Sequence, residues 1–150
     1  MAAIGIAVVA GGIQLVPYGH DHGSGRTGTE AVWPSAEAEA IAEKACYDCH
    51  SNQTEWPWYS NVAPMSWVVQ QDVDEGRDEM SFSAWRGRGH KAAEEVEEGA
   101  MPPGKYTLVH RDAKLSKAER QTLIDALEQM DTGGGGHGRD AGEDQDGDED

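Results

Sequence analysis

The sequence is short of most of what builds a self-sufficient core. It holds a single Phe, and hydrophobic residues make up only 37% of 150 positions. That length suggests one domain, but a core so thin is marginal unaided. Cations are scarce as well: 12 Lys and Arg face 28 Asp and Glu, a formal charge of −16. This argues against a nucleic-acid partner, which needs basic patches to displace counterions. With only two cysteines, there is no disulfide scaffold, and a structural zinc site would lack its usual complement of about four Cys/His ligands. Alternating runs of the strand kind are absent too, so the expected class is all-α.

Long apolar runs are limited to one. Met1 to Val16 carries no charge and would make about 24 Å of helix, a little short of a bilayer core. Residues 1–16 read as a signal or membrane-anchor segment. It lacks a basic n-region, and Val8-Val9-Ala10 is a poor cleavage site. One explanation is that the true start lies upstream and this is the tail of an anchor; a cleaved signal is the other. A buried core helix is disfavoured by three glycines and the lack of a polar face. Residues 17–32, rich in Gly, Ser and Thr, read as a flexible linker. In it His20 and His22 form an HxH pair, better explained by solvation than by a metal.

What the chain does have is Cys46-Tyr47-Asp48-Cys49-His50. Two thiols three residues apart, with an imidazole directly after, is the attachment pattern for a c-type haem. Positions i, i+3 and i+4 share a helical face. Cys46 and Cys49 can therefore each form a thioether with a haem vinyl, leaving His50 beneath the porphyrin with a nitrogen aimed at iron. A redox disulfide would want a βαβ pattern around it, and a structural disulfide would close too short a loop to stabilise much. One covalent haem would also supply the apolar body that the composition lacks. Because c-type haem is attached outside the cytoplasm, the expected location is extracytoplasmic, in agreement with the N-terminal segment.

The surrounding pattern is helical. Ser35 is a candidate N-cap with Glu37 and Glu39 in the first turn. Ala38, Ile41, Ala42, Ala45, Cys46 and Cys49 then follow helical spacing, so both cysteines are expected to continue one buried face. A second helix is expected from Met65 to about Met80, with Met65, Val69, Val73, Gly76 and Met80 as its stripe. A third runs from Lys91 to Glu98 and ends at Gly99, a good C′ residue. Ser116 and Glu119 form a capping box for a last helix reaching about Met130, with Leu123, Ile124, Leu127 and Met130 on one face. From Asp131 the chain is acidic and Gly-rich. Eight acids against Arg139 give this tail −7 and leave −9 for residues 1–130, so residues 131–150 are expected to be disordered.

The run CHSNQTEWPWYSNVAPMSW, residues 49–67, resembles the haem-binding-domain family of small bacterial c-type cytochromes. Agreement continues through Gly76-Arg77, Phe82-Ser83-Ala84-Trp85 and Gly99-Ala100-Met101-Pro102-Pro103, then Tyr106 and His110. The similarity spans about Ile13 to Met130. It implies a small cytochrome c-like helical domain over residues 33–130, wrapped around one covalent haem c, with the last helix packed across the haem-bearing one. It also carries Met101 over as the distal iron ligand. A thioether suits haem iron and raises its potential, and Pro102 and Pro103 would stiffen the loop that presents it. His110 is the main rival; Met65, Met80, His90 or an open position are the others. The rings of Trp56, Trp58 and Tyr59 are candidates for packing on the haem, with ordinary core filling an equal reading.

Two functions of different class follow. The first is electron transfer to a redox partner protein, with iron held by His50 and Met101 and no substrate of its own. The second is a haem sensor or peroxidase-like enzyme with an open sixth position, for which His110 or Arg111 would serve as the distal acid/base.

Overall fold

The computed structural model describes residues 2–133. Among them are seven α-helices and no strand, so the all-α class holds. The helices are α1 (Ala2–Ile13), α2 (Ala36–Ala45), α3 (Tyr47–His50), α4 (Met65–Glu79), α5 (Gly89–Glu97), α6 (Gly104–Val109) and α7 (Lys117–Gly133). The tail expected to leave the fold at Asp131 instead begins by prolonging α7. The remainder of it, residues 134–150 with His137, lies outside the described residues.

Each well-placed helix begins where its local chemistry dictates. The Ser35 hydroxyl accepts the Ala38 N–H at 3.1 Å, and α2 buries Ala38, Ile41, Ala42 and Ala45. At Ser116 the capping box is reciprocal: Glu119 N–H donates to the Ser116 hydroxyl at 3.2 Å, and Ser116 N–H to the Glu119 carboxylate at 2.8 Å. From there α7 buries Leu123, Ala126, Leu127 and Met130. The carboxylate of Glu119 also pairs with Lys44 of α2, tying the two helices together.

α7 packs most extensively on α5 and also on α2. It holds α5 at both ends. The Asp131 carboxylate accepts the N–H groups of Gly89 and His90 at 3.0 and 2.7 Å, and Arg120 donates to the Val96 carbonyl at 2.7 Å. Free N–H groups at a helix start and free carbonyls at its end are the groups that need partners. Here the neighbouring helix supplies them.

Two expectations shift. α2 does not run on through the cysteines: Cys46, at φ −129°, ends it, and α3 restarts as a single turn. The break lets Tyr47 enter the core, where its ring lies 5.2 Å from that of Phe82 and its hydroxyl accepts from Trp33 Nε1 at 2.8 Å. In α4 the buried positions are Ser66, Gln70 and Val73, while Met65 is half exposed.

Segment 17–32 connects α1 to α2, but it is laid along the domain rather than standing free. Ala31 N–H donates to Phe82 O at 2.8 Å, Trp85 N–H to Thr29 O at 2.8 Å and Gly28 N–H to Ser83 O at 3.1 Å. The ring of His22 stacks on Trp56 at 4.1 Å. Composition marks such a stretch as irregular but cannot show backbone partners offered by distant residues. α1 leaves Ile4, Ile6, Val8 and Val9 exposed, which removes the core-helix alternative. No helix among the described residues is long and apolar enough to cross a membrane.

Candidate functional site

The site is assembled where α3 lies across α4. Gly76 makes the close approach possible: a Cβ there would stand 2.6 Å from the Cys49 carbonyl oxygen. Arg77 then stitches the neighbouring loops, donating to Ser51 O at 2.9 Å, Gly23 O at 2.8 Å and Thr54 Oγ1 at 3.0 Å. The Gly76-Arg77 dipeptide thus has two separate tasks, contact and bracing.

Packed this way, His50 aims Nδ1 at two backbone carbonyls, Gly76 O at 2.8 Å and Met80 O at 3.1 Å. Both can only accept, so Nδ1 carries the proton and Nε2 is left with its lone pair. This is the arrangement of a metal-ligating imidazole: the carbonyl fixes the tautomer and makes the other nitrogen more basic.

A cavity of about 370 Å³ adjoins it, within the range of sites that hold ligands of drug-like size. Cys46, Cys49 and His50 line it together with Met80 and Met101. Its walls are otherwise largely apolar, with Phe82, Val96 and Leu127 among them. Burial pushes the Cys46 thiol up to about 12 and the Cys49 thiol to about 11. Surroundings that penalise thiolates disfavour an ion held by two of them, whereas uncharged thioethers suffer no such penalty. The donor set, the volume and the apolar walls fit a porphyrin.

Met101 reaches this cavity through the end of α5. Gly99, at φ +79°, adopts the left-handed conformation that glycine tolerates. Gly99 N–H donates to Val96 O, and both Ala100 and Met101 N–H donate to Glu95 O at 3.0 Å. This is the Schellman closure expected after a helix, extended by one bond that pins Met101 itself.

The other sequence candidates lie elsewhere. His110 lines a neighbouring cavity of about 140 Å³, with Nε2 at 3.1 Å from the Tyr59 hydroxyl and its ring stacked on Tyr106 at 4.3 Å. Tyr59 lines that second cavity too. Trp56 is stacked on His22, and Trp58 is 80% exposed. None of Trp56, Trp58 and Tyr59 lines the cavity that both cysteines share with His50 and Met101; Tyr59 shares the smaller one with Cys49. Trp56 and Tyr59 find their partners, His22 and His110, far along the chain, which the pentapeptide's sequence neighbourhood does not reveal.

Phe82 and Tyr106 line the cavity, and the Tyr106 hydroxyl donates to Asp48 Oδ2 at 2.6 Å. Burial, reinforced by that carboxylate, raises the phenol's pKa strongly, so it remains a donor at all ordinary pH. Of the minor rivals for an iron ligand, Met80 lines the cavity and Met65 and His90 do not. The only signal for Met80 was its position on the α4 stripe, and for Tyr106 its place beyond the Pro102-Pro103 pair.

No curated protein and no solved structure matches the chain. The model of the haem-binding domain matches residues 8–129, most of its length. Matched over that span, with His50 Nδ1 held by backbone carbonyls beside an apolar cavity that both cysteines line, the chain belongs to the haem-binding-domain family and is a haem protein.

Proposed function

We propose that the protein is an exported c-type cytochrome that transfers electrons, carrying one haem joined through thioethers at Cys46 and Cys49. When bound, the haem supplies a one-electron ferrous/ferric couple. The observation that carries the reading is the placement of His50, whose Nδ1 lies 2.8 and 3.1 Å from the Gly76 and Met80 carbonyl oxygens at the wall shared with both thiols. His50 through Nε2 and Met101 through its thioether would hold the iron. Haem iron held by Met and His has a raised potential, and apolar walls that keep water out tune it further.

α1 serves as the export or membrane-anchoring segment, and the domain works outside the cytoplasm with a redox partner protein. Its uncharged, exposed apolar side chains support this. The sensor or peroxidase reading needs a polar group facing the iron. Of its candidates, Arg111 lines neither cavity, and His110 lines the smaller one beside Cys49 with its Nε2 engaged by the Tyr59 hydroxyl, which favours the carrier.

The test is production of the full chain in a host competent in cytochrome c maturation. Haem should stay with the polypeptide through denaturing electrophoresis and be lost in Cys46→Ala plus Cys49→Ala. The ferric spectrum should show the red-edge band of methionine–iron ligation, which Met101→Ala abolishes while His110→Ala and Met80→Ala retain it. A high-spin ferric spectrum with rapid CO uptake in the unaltered chain would overturn the carrier reading.

A further inference from the structure

The cavity beside Cys46, Cys49 and His50 is apolar in its walls but charged at its rim. Although the chain has only 12 Lys and Arg, three of them, Arg88, Lys91 and Lys105, stand there. They fall into two groups. Arg88 Nη1 and Lys91 Nζ approach the same oxygen, Glu79 Oε2, at 3.5 and 3.1 Å. Lys105 Nζ pairs separately with Asp72 Oδ1 at 2.7 Å.

The two groups sit at different ends. Lys105 and Asp72 also line the smaller neighbouring cavity together with Cys49, which Arg88 and Lys91 do not. Arg88 and Glu79 instead share a recess with Met80 and Ser81 that neither cysteine lines, and Glu79 is the last residue of α4.

Haem has the same polarity. Its two vinyls lie on adjacent pyrroles, and its two propionates lie on the other two. A porphyrin tied by its vinyls to Cys46 and Cys49 therefore turns its carboxylates toward the end of the cavity remote from the sulfurs. Two carboxylates arriving there meet two cations that now share a single carboxylate. Arg is suited to a two-pronged grip on such a group and Lys to a point charge. Both side chains are more than half exposed, so they can swing from Glu79 to a new partner without disturbing the core.

We propose that Arg88 and Lys91 form the propionate subsite of the haem cavity, with Glu79 as the carboxylate that occupies them otherwise. This rests on the reading that the haem lies in this cavity, and names what orients its far edge. Covalent attachment fixes the vinyl edge; this pair fixes the opposite one and sets the tilt at which the ring meets His50 and Met101.

The experiment uses the haem-loaded full chain and reads the propionate bending bands by resonance Raman. Arg88→Ala with Lys91→Ala should shift both bands to the positions of unpaired propionates. Lys105→Ala, which removes an equal charge from the thiol end, should leave them in place. Should the double variant fail to mature, Glu79→Gln reports from the opposite direction: freeing both cations should shift the bands toward stronger pairing. Bands unchanged by the Arg88/Lys91 substitutions, or by Glu79→Gln, overturn the assignment, as does a shift produced equally by Lys105→Ala. If the unaltered chain carries no haem after maturation, the haem-site reading itself falls and takes this subsite with it.

Discussion

Gly76→Ala is the sharpest test of how the site is held together. In a helix interior Ala is favoured over Gly by about 0.8–1.0 kcal/mol, so propensity alone predicts a more stable protein. Packing predicts the reverse. The new methyl would lie 2.6 Å from the Cys49 carbonyl oxygen, 3.0 Å from Cys49 Cβ and 3.1 Å from the Cys49 carbonyl carbon. Two of these three are backbone atoms, which cannot rotate aside as a side-chain end would. Forcing an extra group into such a contact typically costs about 1–3 kcal/mol. A 2.6 Å approach to backbone puts the cost in the upper part of that range, about 2–3 kcal/mol, so after the propensity gain the net loss is about 1–2 kcal/mol. At about 2–4 °C per kcal/mol for a chain of this size, the melting midpoint should fall by about 2–8 °C. The axial spectrum should change as well, because separating α3 from α4 pulls His50 Nδ1 off the Gly76 and Met80 carbonyls. Gly104→Ala is the control: at the start of α6, with nothing within 4 Å of its added Cβ, it should leave stability unchanged or raise it by up to about 1 kcal/mol. The two are compared by thermal and denaturant melts and by visible spectra of the loaded protein. A Gly76→Ala protein as stable as its parent, with the same spectrum, would refute the close-contact argument.

Four further outcomes are expected. Leu123→Ala, at a position with 0% exposure, should cost about 2–5 kcal/mol through lost burial and a cavity, read as a lower denaturant midpoint. Asp131→Ala removes the carboxylate that receives the first N–H groups of α5 and should cost about 0.5–2 kcal/mol, a loss Asp131→Asn should partly restore. The Glu119 carboxyl is held at about 2, below its ordinary 4.5, chiefly by Lys44 and then by Ser116. A depressed carboxyl stabilises above its unfolded value and loses that contribution as pH falls toward the folded one, so melting between about pH 4.5 and 2 should flatten in Lys44→Ala. Trp58→Ala should leave both the haem spectrum and stability within about 0.5 kcal/mol of the parent, because that ring is 80% exposed and off the cavity.

How much of this was written in the sequence depends on the range over which each determinant acts. Ser35, the Ser116/Glu119 box and Gly99 act on residues within one turn of themselves, and each stands where the pattern put it. Cys46, Cys49 and His50 are likewise local, and the structure brings them to one cavity with Met101. What could not be read depends on partners tens of residues away. His22 covers Trp56, and Tyr59 engages His110, so the aromatic cluster that follows the pentapeptide in sequence is spent on other contacts. Likewise, the run from Pro17 to Val32 looks like a linker because its hydrogen bonds go to Ser83, Phe82 and Trp85, which no window of adjacent residues contains. Cys46 is the exception within the local group: apolar spacing carried α2 through it, yet the chain breaks there and restarts at Tyr47, whose ring stacks on Phe82 and whose hydroxyl accepts from Trp33, partners that lie outside the local pattern.

The two sides of the cavity are built by different parts of the chain. His50 is set by α3 lying on α4, a contact that turns on one missing Cβ at Gly76. Met101 is set by α5, which has no side-chain cap of its own and relies on Asp131 and Arg120 of α7 for both ends. Asp131 lies at the border of the acidic tail, in the last turn of α7, and so a residue that composition assigns to disorder instead anchors the helix that delivers a candidate ligand. The two supports share no helix, and the side-chain pairs that join α5 to α4, Arg88 and Lys91 with Glu79, are exposed, so damage to one should leave the other in place. Loosening α5 would free Met101 while His50 keeps its carbonyl partners, and separating α3 from α4 would do the opposite. A single rigid scaffold gripping the porphyrin from both faces would lose both ligands at once, and that difference is what distinguishes a cavity assembled from two independent halves.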